Sequence, residues 1–118
     1  MQKTVLIAED DDEIGRLLVL LLSQETSYQA CLVHSAKEAL WVMQEVKPVL
    51  FLFDYYLPSM TGLQLYDQLH AQQEFAAIPA IIISANLPIK ELEKRHIVGL
   101  AKPFDLDSLL ATIEQVVG

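Results

Sequence analysis

The polar side chains of this sequence that could support chemistry stand directly after short apolar segments. They are Glu9, Asp10, Asp11, Asp12, Asp54, Ser84 and Lys102. If the apolar segments are neighbouring parallel strands, carboxylates, a hydroxyl and an ammonium group meet at one edge of a sheet. Open parallel sheets bind their ligands beyond that edge, where the strand order changes direction. The spacing therefore predicts one polar site at the carboxyl ends of the strands.

This set of side chains suits a divalent cation and a phosphoryl group. Carboxylates a few ångströms apart repel each other, and one takes a proton unless a cation lies between them. A hard ion such as Mg²⁺ prefers oxygen ligands and keeps several waters, so Asp10 and Asp54 would bind it directly and Glu9 through water. The metal and Lys102 together would neutralise an incoming phosphoryl group, with one strand-end carboxylate as the nucleophile.

The elements that must position these side chains follow from the hydrophobic pattern. Short apolar segments predict strands at 4–8, 28–33, 49–53, 80–84 and 98–101. Helical periodicity predicts helices at 14–22, 36–45, 62–73, 88–95 and 106–117. Asp11 and Asp12 are predicted to cap the first helix and to interact with its dipole, and Asp105 to cap the last. Strict alternation predicts a small doubly wound α/β fold with helices on both faces of a parallel sheet.

Composition limits the kinds of protein this can be. The 118 residues, 53% of them hydrophobic, predict one folded domain over 1–118. The net charge of −8 disfavours direct binding to nucleic acid or to an anionic membrane. The single cysteine, Cys31, indicates a reducing compartment, and the N-terminus begins in a strand pattern without a leader. A cytoplasmic location is therefore predicted.

Four motifs resemble those of the receiver domains of two-component response regulators, and the resemblance covers the whole chain. VLIAEDD is similar to the first strand with its acidic pair, and IIISAN to the fourth strand with its switch hydroxyl. FLFDYYLPSMTGLQL is similar to the phosphoacceptor strand, with Pro58 four and Gly62 eight residues after Asp54, and LAKPFD to the strand-end lysine. The resemblance implies a five-stranded doubly wound sheet of order 2-1-3-4-5, a flavodoxin-like three-layer sandwich.

The resemblance also implies a role for each site residue. Asp54 would be phosphorylated, and Glu9 and Asp10 would be the acidic pair, with Asp10 a direct Mg²⁺ ligand. The backbone carbonyl of Tyr56 would be a third ligand. The phosphoryl group would then accept hydrogen bonds from two further residues, Ser84 and Lys102.

The implied partner is a sensor histidine kinase or a phosphotransfer domain. The domain would catalyse only its own phosphorylation and dephosphorylation, and the phosphoryl group would bias an equilibrium between two surfaces. A second copy or an output partner would bind the face formed by the fourth helix, fifth strand and fifth helix.

Two departures from the family pattern concern the output rather than the site. Gly99 stands where the family usually has an aromatic residue, three positions before Lys102. The step of 18 positions from Ser84 to Lys102 is shorter than usual in the family, so the fourth helix is predicted to have about two turns. The phosphorylation site is predicted to be complete, whereas the route from the site to the outer face is altered.

Three other functions share parts of this pattern. A haloacid-dehalogenase-type phosphatase needs a second acid two residues after its nucleophile, where this chain has Tyr56. A flavodoxin-like FMN protein would place a phosphate at the first strand, where the acidic cluster repels it. A receiver-like interaction module without a phosphorylation cycle is the remaining alternative: Gly99 favours it, and the complete set of site residues argues against it.

The other notable side chains are predicted to be structural. His34, His70 and His96 are expected to lie away from the site. Trp41 is expected to pack within the fold, and Cys31 to be a small buried hydrophobic residue.

Overall fold

The computed structural model describes residues 3–118 and contains a five-stranded parallel sheet flanked by helices. The strands are β1 (Thr4–Ala8), β2 (Gln29–Val33), β3 (Leu50–Asp54), β4 (Ala80–Ser84) and β5 (Val98–Ala101). The helices are α1 (Asp12–Glu25), α2 (Ala36–Val42), α3 (Gly62–His70), α4 (Ile89–Arg95) and α5 (Leu106–Val117). The sheet order is β2-β1-β3-β4-β5, so the predicted doubly wound fold is confirmed.

Two helices end earlier than the periodicity predicts. α2 ends at Val42 because the following amides, on Gln44 and Glu45, donate to carbonyls only three residues back. α3 ends at His70, and a short 3₁₀ turn, Gln73–Phe75, follows it. Tightening of the last turn into three-residue hydrogen bonds is common at helix ends. Periodicity alone does not distinguish these turns from continued α-helix.

The side chains of each strand alternate between two apolar layers. Val5 and Ile7 of β1 pack with residues of α1 and α5, whereas Leu6 and Ala8 pack with residues of α2, α3 and α4. Every residue of β3 and β4 is buried, which explains why these strands appear as uninterrupted apolar runs. The sheet is therefore the middle of three layers, and its carboxyl edge is one of the few places where polar side chains can gather.

Aspartates begin the first and last helices as predicted. The Asp11 carboxylate accepts hydrogen bonds from the amides of Glu13 and Ile14, at 3.0 and 3.2 Å. Asp105 accepts from the amide of Ser108 at 2.7 Å. Each cap satisfies helix amides that have no partner within the helix.

The fourth helix is short and is fastened at its C-terminal end. It has seven residues, about two turns, as predicted. The amides of His96 and Ile97 donate to Glu93 and Leu92, a Schellman pattern in which His96 takes a left-handed φ of 56°. The Arg95 guanidinium closes the same end.

Arg95 joins α4 to α3 through a two-pronged ion pair. Its Nε and Nη2 atoms each lie 2.8 Å from one carboxylate oxygen of Asp67. Its Nη1 atom donates to the backbone and side chain of Glu91, at 2.9 and 3.1 Å. At the opposite end of α4, Pro88 supplies no side-chain cap. The two ends of this helix are thus held very differently.

Gly99 lies under two leucine side chains of the β4–α4 region. A Cβ atom placed on Gly99 would lie 2.9 Å from a methyl carbon of Leu92 and 3.0 Å from both methyl carbons of Leu87. Aliphatic side chains from α4 and from the loop before it therefore occupy the space above this position.

Predictions about two individual residues were wrong or incomplete. Trp41 is 68% exposed, because Ala36, Ala39 and Met43 form the face of α2 that packs on the sheet. Cys31 is only partly buried, and burial raises the pKa of its thiol. Neither residue is one of the predicted site residues, so the predicted site is unaffected.

The three histidines divide into two groups. His34 follows β2 at the carboxyl edge of the sheet, with Nε2 3.5 Å from Asp12, so the prediction that it lies away from this edge was wrong. His70 ends α3, where it stacks on Tyr66, and His96 follows α4. Both of these lie towards the opposite edge, as predicted.

Within residues 3–118, none of the helices combines the length and apolar character that crossing a bilayer requires.

Candidate functional site

The carboxyl ends of β1 and β3 bring three carboxylates together. Carboxylate oxygens of Glu9, Asp10 and Asp54 all lie within 4.8 Å of one another. Glu9 and Asp54 are buried, at 1% and 6% exposure, and Asp10 is exposed. β1 and β3 are hydrogen-bonded neighbours, so the predicted acidic cluster is assembled by the central strands of the sheet.

Lys102, the residue after β5, spans this cluster. Its Nζ atom lies 3.0 Å from Asp54 Oδ1 and 3.1 Å from Glu9 Oε1. The second oxygen of Glu9 accepts a hydrogen bond from the Asp11 amide at 3.2 Å. In the part of the chain that the structure describes, every buried side-chain nitrogen and oxygen has a hydrogen-bond partner.

The electrostatic balance of the site is negative. Burial raises the pKa of Glu9 and of Asp54 above their usual values, and hydrogen bonds only partly offset this effect. Burial alone would lower the pKa of Lys102, but its hydrogen bonds to Asp54 and Glu9 outweigh burial and raise it. The cluster thus holds three carboxyl groups and one ammonium, which contacts Glu9 and Asp54. A divalent cation would remove the remaining repulsion.

Ser84 ends β4 at the same edge, next to β5. It is 1% exposed, and its Oγ atom accepts a hydrogen bond from the Asn86 amide at 3.1 Å. The Lys102 amide donates to the Ser84 carbonyl at 2.9 Å, which fixes these two residues side by side. The hydroxyl proton of Ser84 is not needed by the Asn86 contact, since a hydroxyl both donates and accepts.

The loop between β3 and α3 is fastened where it leaves the sheet and where it enters the helix. The Gly62 amide donates to the Tyr55 carbonyl at 2.7 Å, and Tyr56 forms an antiparallel bridge with Thr61. At the tip, Ser59 has a φ of 73°. These two closures hold the two ends of the loop together directly after Asp54.

Gly62 is required by close packing against the end of β3. A Cβ atom here would overlap the backbone carbonyl oxygen of Asp54. Thr61 and Gln64 form a capping box, with contacts of 3.1 Å and 2.8 Å between each side chain and the other's amide. The T-x-x-Q pattern formed by Thr61 and Gln64 is a sequence signal for such a box, and it marks the start of α3.

The donor set fits a hard divalent cation. The clustered ligand atoms are all carboxylate oxygens, the type that Mg²⁺ and Ca²⁺ bind, whereas zinc and copper sites favour nitrogen and sulfur. Two of the three carboxylates are buried, so a bound ion would be partly shielded from water. The arrangement of β strands and site corresponds to a doubly wound protein whose ligand lies at the switch point of the sheet.

Comparison with known proteins identifies the family. The chain matches the response regulator receiver domain over residues 5–114 and belongs to that family. It is 31% identical to the polar-differentiation response regulator DivK of Brucella ovis, over 100% of this chain and 98% of that protein. It is 36% identical to the transcriptional regulatory protein MalR of Bacillus subtilis, over 87% of this chain. The chain spans 45% of MalR and 7% of the hybrid signal transduction histidine kinase D of Dictyostelium discoideum.

Solved structures agree with this assignment. A sensor protein from Polaromonas sp. JS666 superposes with a TM-score of 0.87 at 28% identity, covering 99% of this chain and 97% of that one. The chemotaxis response regulator CheY4 of Vibrio cholerae has a TM-score of 0.88 at 24% identity, with 98% of both chains covered, and supports the fold. The protein is therefore a two-component receiver domain, and the cluster of Glu9, Asp10 and Asp54 fits a phosphoacceptor site.

Proposed function

We propose that Asp54 is the phosphoacceptor of this receiver, with a sensor histidine kinase or a phosphotransfer protein as the donor. The observation that carries the proposal is the meeting of Asp54 with two further carboxylates within 4.8 Å and with Lys102 Nζ at 3.0 Å. Residues 1–118 would act as one receiver domain. Since Cys31 is the only cysteine, we further propose a cytoplasmic location.

Mg²⁺ is the proposed metal. Asp10 and Asp54 would bind it directly, Glu9 through water, and the Tyr56 backbone carbonyl would be a third protein ligand. When bound, the ion neutralises the carboxylates and the negative charge of the entering phosphoryl group. These residues offer only oxygen, which supports Mg²⁺ over metals that prefer nitrogen or sulfur.

The transfer step needs one nucleophile and one leaving group. A carboxylate oxygen of Asp54 would attack the phosphorus of a phosphohistidine, the P–N bond would break, and the imidazole would leave with its electron pair. The product is an acyl phosphate on Asp54. Lys102, which bridges Asp54 and Glu9 at 3.0 and 3.1 Å, would move to the phosphoryl oxygens and stabilise the charge they carry.

Ser84 would recognise the product. Its hydroxyl oxygen accepts from the Asn86 amide, so its proton remains available for a phosphoryl oxygen. Movement of this hydroxyl would favour one of two surface conformations. An output partner or a second copy would bind the face formed by α4, β5 and α5.

The complete site supports phosphorylation over the two main alternatives. An interaction module without a phosphorylation cycle has no use for a buried Asp54 and Glu9 bridged by a lysine. A phosphatase of the haloacid dehalogenase type would need an acid at Tyr56, whose side chain is 63% exposed and carries no carboxyl group. The domain is therefore proposed to transfer phosphoryl groups only onto and off itself.

Acetyl phosphate with Mg²⁺ tests the proposal directly. Mass spectrometry should show one added phosphoryl group on the wild type and none on Asp54→Asn, and the adduct should be lost in alkali. Lys102→Ala should remain folded but react more slowly, because it removes charge stabilisation rather than the nucleophile. Asp107→Asn, an exposed aspartate on α5, is the matched control and should react normally. Labelling of Asp54→Asn, or a base-stable adduct, would contradict the proposal.

A further inference from the structure

The loop after β4 is tied directly to the Ser84 hydroxyl. The Asn86 amide donates to Ser84 Oγ at 3.1 Å, and this contact is partly buried. Ser84 is buried whereas Asn86 is exposed, so the Asn86 amide exchanges its protein acceptor for water unless the loop follows the hydroxyl. If Ser84 turns towards a phosphoryl group on Asp54, Asn86 either follows the hydroxyl or loses its partner. We expect Asn86 to follow the hydroxyl, which displaces the next residue, Leu87.

Leu87 connects this loop to β5. Both of its methyl carbons lie 3.0 Å from the position of a Cβ on Gly99, so Leu87 rests against the strand where a larger residue would exclude it. Leu92 of α4 shares the same space, with a methyl carbon 2.9 Å from that position. The contact therefore exists because residue 99 has no side chain. A shift of Leu87 changes the packing of both β5 and α4.

The two ends of α4 differ in how firmly they are held. Its C-terminal end is fixed by the Schellman hydrogen bonds and by the Arg95–Asp67 ion pair, whose two contacts are each 2.8 Å. Its N-terminal end follows Pro88, which provides no side-chain cap. Displacement of the β4–α4 loop would thus move the N-terminal end of α4, while the C-terminal end stays in place and acts as the pivot.

We propose that Leu87 is a positioning residue that transmits the state of Ser84 to β5 and to the N-terminal end of α4. It does so through the space that Gly99 leaves open. This inference rests on the proposed phosphorylation of Asp54 and adds the route by which the site changes the outer face. In this chain, movement of Leu87 would transmit the change that an aromatic side chain at position 99 would transmit by turning inward.

Amide NMR spectra with and without Mg²⁺ and beryllium fluoride, a phosphoryl mimic, test the route. In the wild type, the mimic should shift the amide signals of Asp54 and Ser84, and also those of Leu92 and Gly99. In Leu87→Ala, the shifts at Asp54 and Ser84 should be retained, while those at Leu92 and Gly99 should fall several-fold. The comparison is made within each variant, so the static effect of the substitution cancels.

Ile89→Ala is the matched control, because Ile89 is the first residue of α4 and is 54% exposed. It should retain all four shifts. Gly99→Ala supplies an independent measurement, since its new methyl group crowds both Leu92 and Leu87 and disfavours the resting packing. It should bind beryllium fluoride several-fold more tightly, and adding Leu87→Ala to it should reduce this gain by relieving the crowding against Leu87.

The possible outcomes separate the two proposals. Full shifts at Leu92 and Gly99 in Leu87→Ala, with normal shifts at Asp54 and Ser84, would overturn the Leu87 route alone. Unchanged affinity in Gly99→Ala would also count against it. A wild type in which Asp54 and Ser84 do not respond to beryllium fluoride would overturn the proposed function, and the Leu87 route with it.

Discussion

Glu9 and Asp54 share one ammonium group, with Lys102 Nζ 3.1 Å from the first and 3.0 Å from the second. Removing the lysine leaves two buried carboxyl groups facing each other. Lys102→Met should therefore lower the free energy of unfolding by about 1–3 kcal/mol at pH 7 in the presence of a chelator. Urea denaturation measures the loss. Lys37→Met, which changes an exposed lysine on α2, should have little effect. A loss of equal size in both variants would contradict this role.

Asp54→Asn should stabilise the metal-free protein and weaken its response to Mg²⁺. The substitution removes one of the repelling carboxylates and a proposed metal ligand. For the wild type, Mg²⁺ at about 100 times its dissociation constant should add roughly 2.7 kcal/mol to the free energy of unfolding. Thermal melts with chelator and with Mg²⁺ measure both effects, and Asp107→Asn serves as the control. An unchanged melting temperature with a full Mg²⁺ response would argue against Asp54 as a ligand.

The same carboxyl group gives the metal-free protein a characteristic pH dependence. Burial raises the pKa of Asp54 in the folded protein, because it disfavours the charged carboxylate. The protonated carboxyl group is tolerated in the folded state, so the protein keeps its full stability below about pH 4. This stability is lost as the pH rises through the raised pKa of Asp54. In chelator, the stabilisation caused by Asp54→Asn should thus be larger at pH 7 than at pH 4. Urea denaturation at the two pH values checks the sign. A larger effect at pH 4 would contradict it.

The Arg95–Asp67 ion pair should titrate in the opposite direction. The hydrogen bond that Arg95 donates holds the pKa of the Asp67 carboxyl below its usual range. The ion pair therefore stabilises the folded protein fully above about pH 4, and this stabilisation is lost as the pH falls through the lowered pKa of Asp67. Asp67 is 48% exposed, which limits the contribution to about 0.5–1 kcal/mol. Asp67→Asn should cost this much at pH 7 and less near pH 3. A cost near pH 3 as large as the cost at pH 7 would contradict this assignment.

His96 occupies a left-handed backbone position that glycine adopts without strain. Its φ of 56° closes the C-terminal end of α4. His96→Gly should therefore raise the free energy of unfolding by about 0.5–1 kcal/mol, after allowing for the greater freedom of glycine in the unfolded chain. His70→Gly, at the end of α3, should instead destabilise the protein. A loss of stability in both variants would mean that the His96 side chain makes a compensating contact.

The sequence was sufficient to predict the elements whose signals are local. β3 and β4 are buried on both faces and therefore appear as continuous apolar runs, and the polar residue after each buried strand marks the edge of the sheet. Strand order came only from the family resemblance, because apolar runs do not say which strands are neighbours. The positions of Glu9, Asp54 and Lys102 around one point then followed from the parallel topology.

Features that depend on how elements lie against each other could not be predicted in this way. Asp67 and Arg95 are 28 positions apart, and they meet only because α3 and α4 lie on the same face of the sheet. The sequence showed that Gly99 lacks a ring, but not that Leu87 and Leu92 occupy its place. Trp41 was expected to pack within the fold, whereas the small residues of α2 face the sheet and leave Trp41 exposed.

The double closure of the β3–α3 loop limits where this exposed segment can accept inserted residues. Extra residues near Tyr55 or Gly62 would break the 2.7 Å hydrogen bond between them and shift the backbone of Asp54. At the tip of the loop, Pro58 and Ser59 are exposed and take part in neither of the two closing contacts. An insertion, a reporter peptide or an engineered protease site should thus be tolerated between residues 58 and 59. The same addition only a few positions away would disable the site.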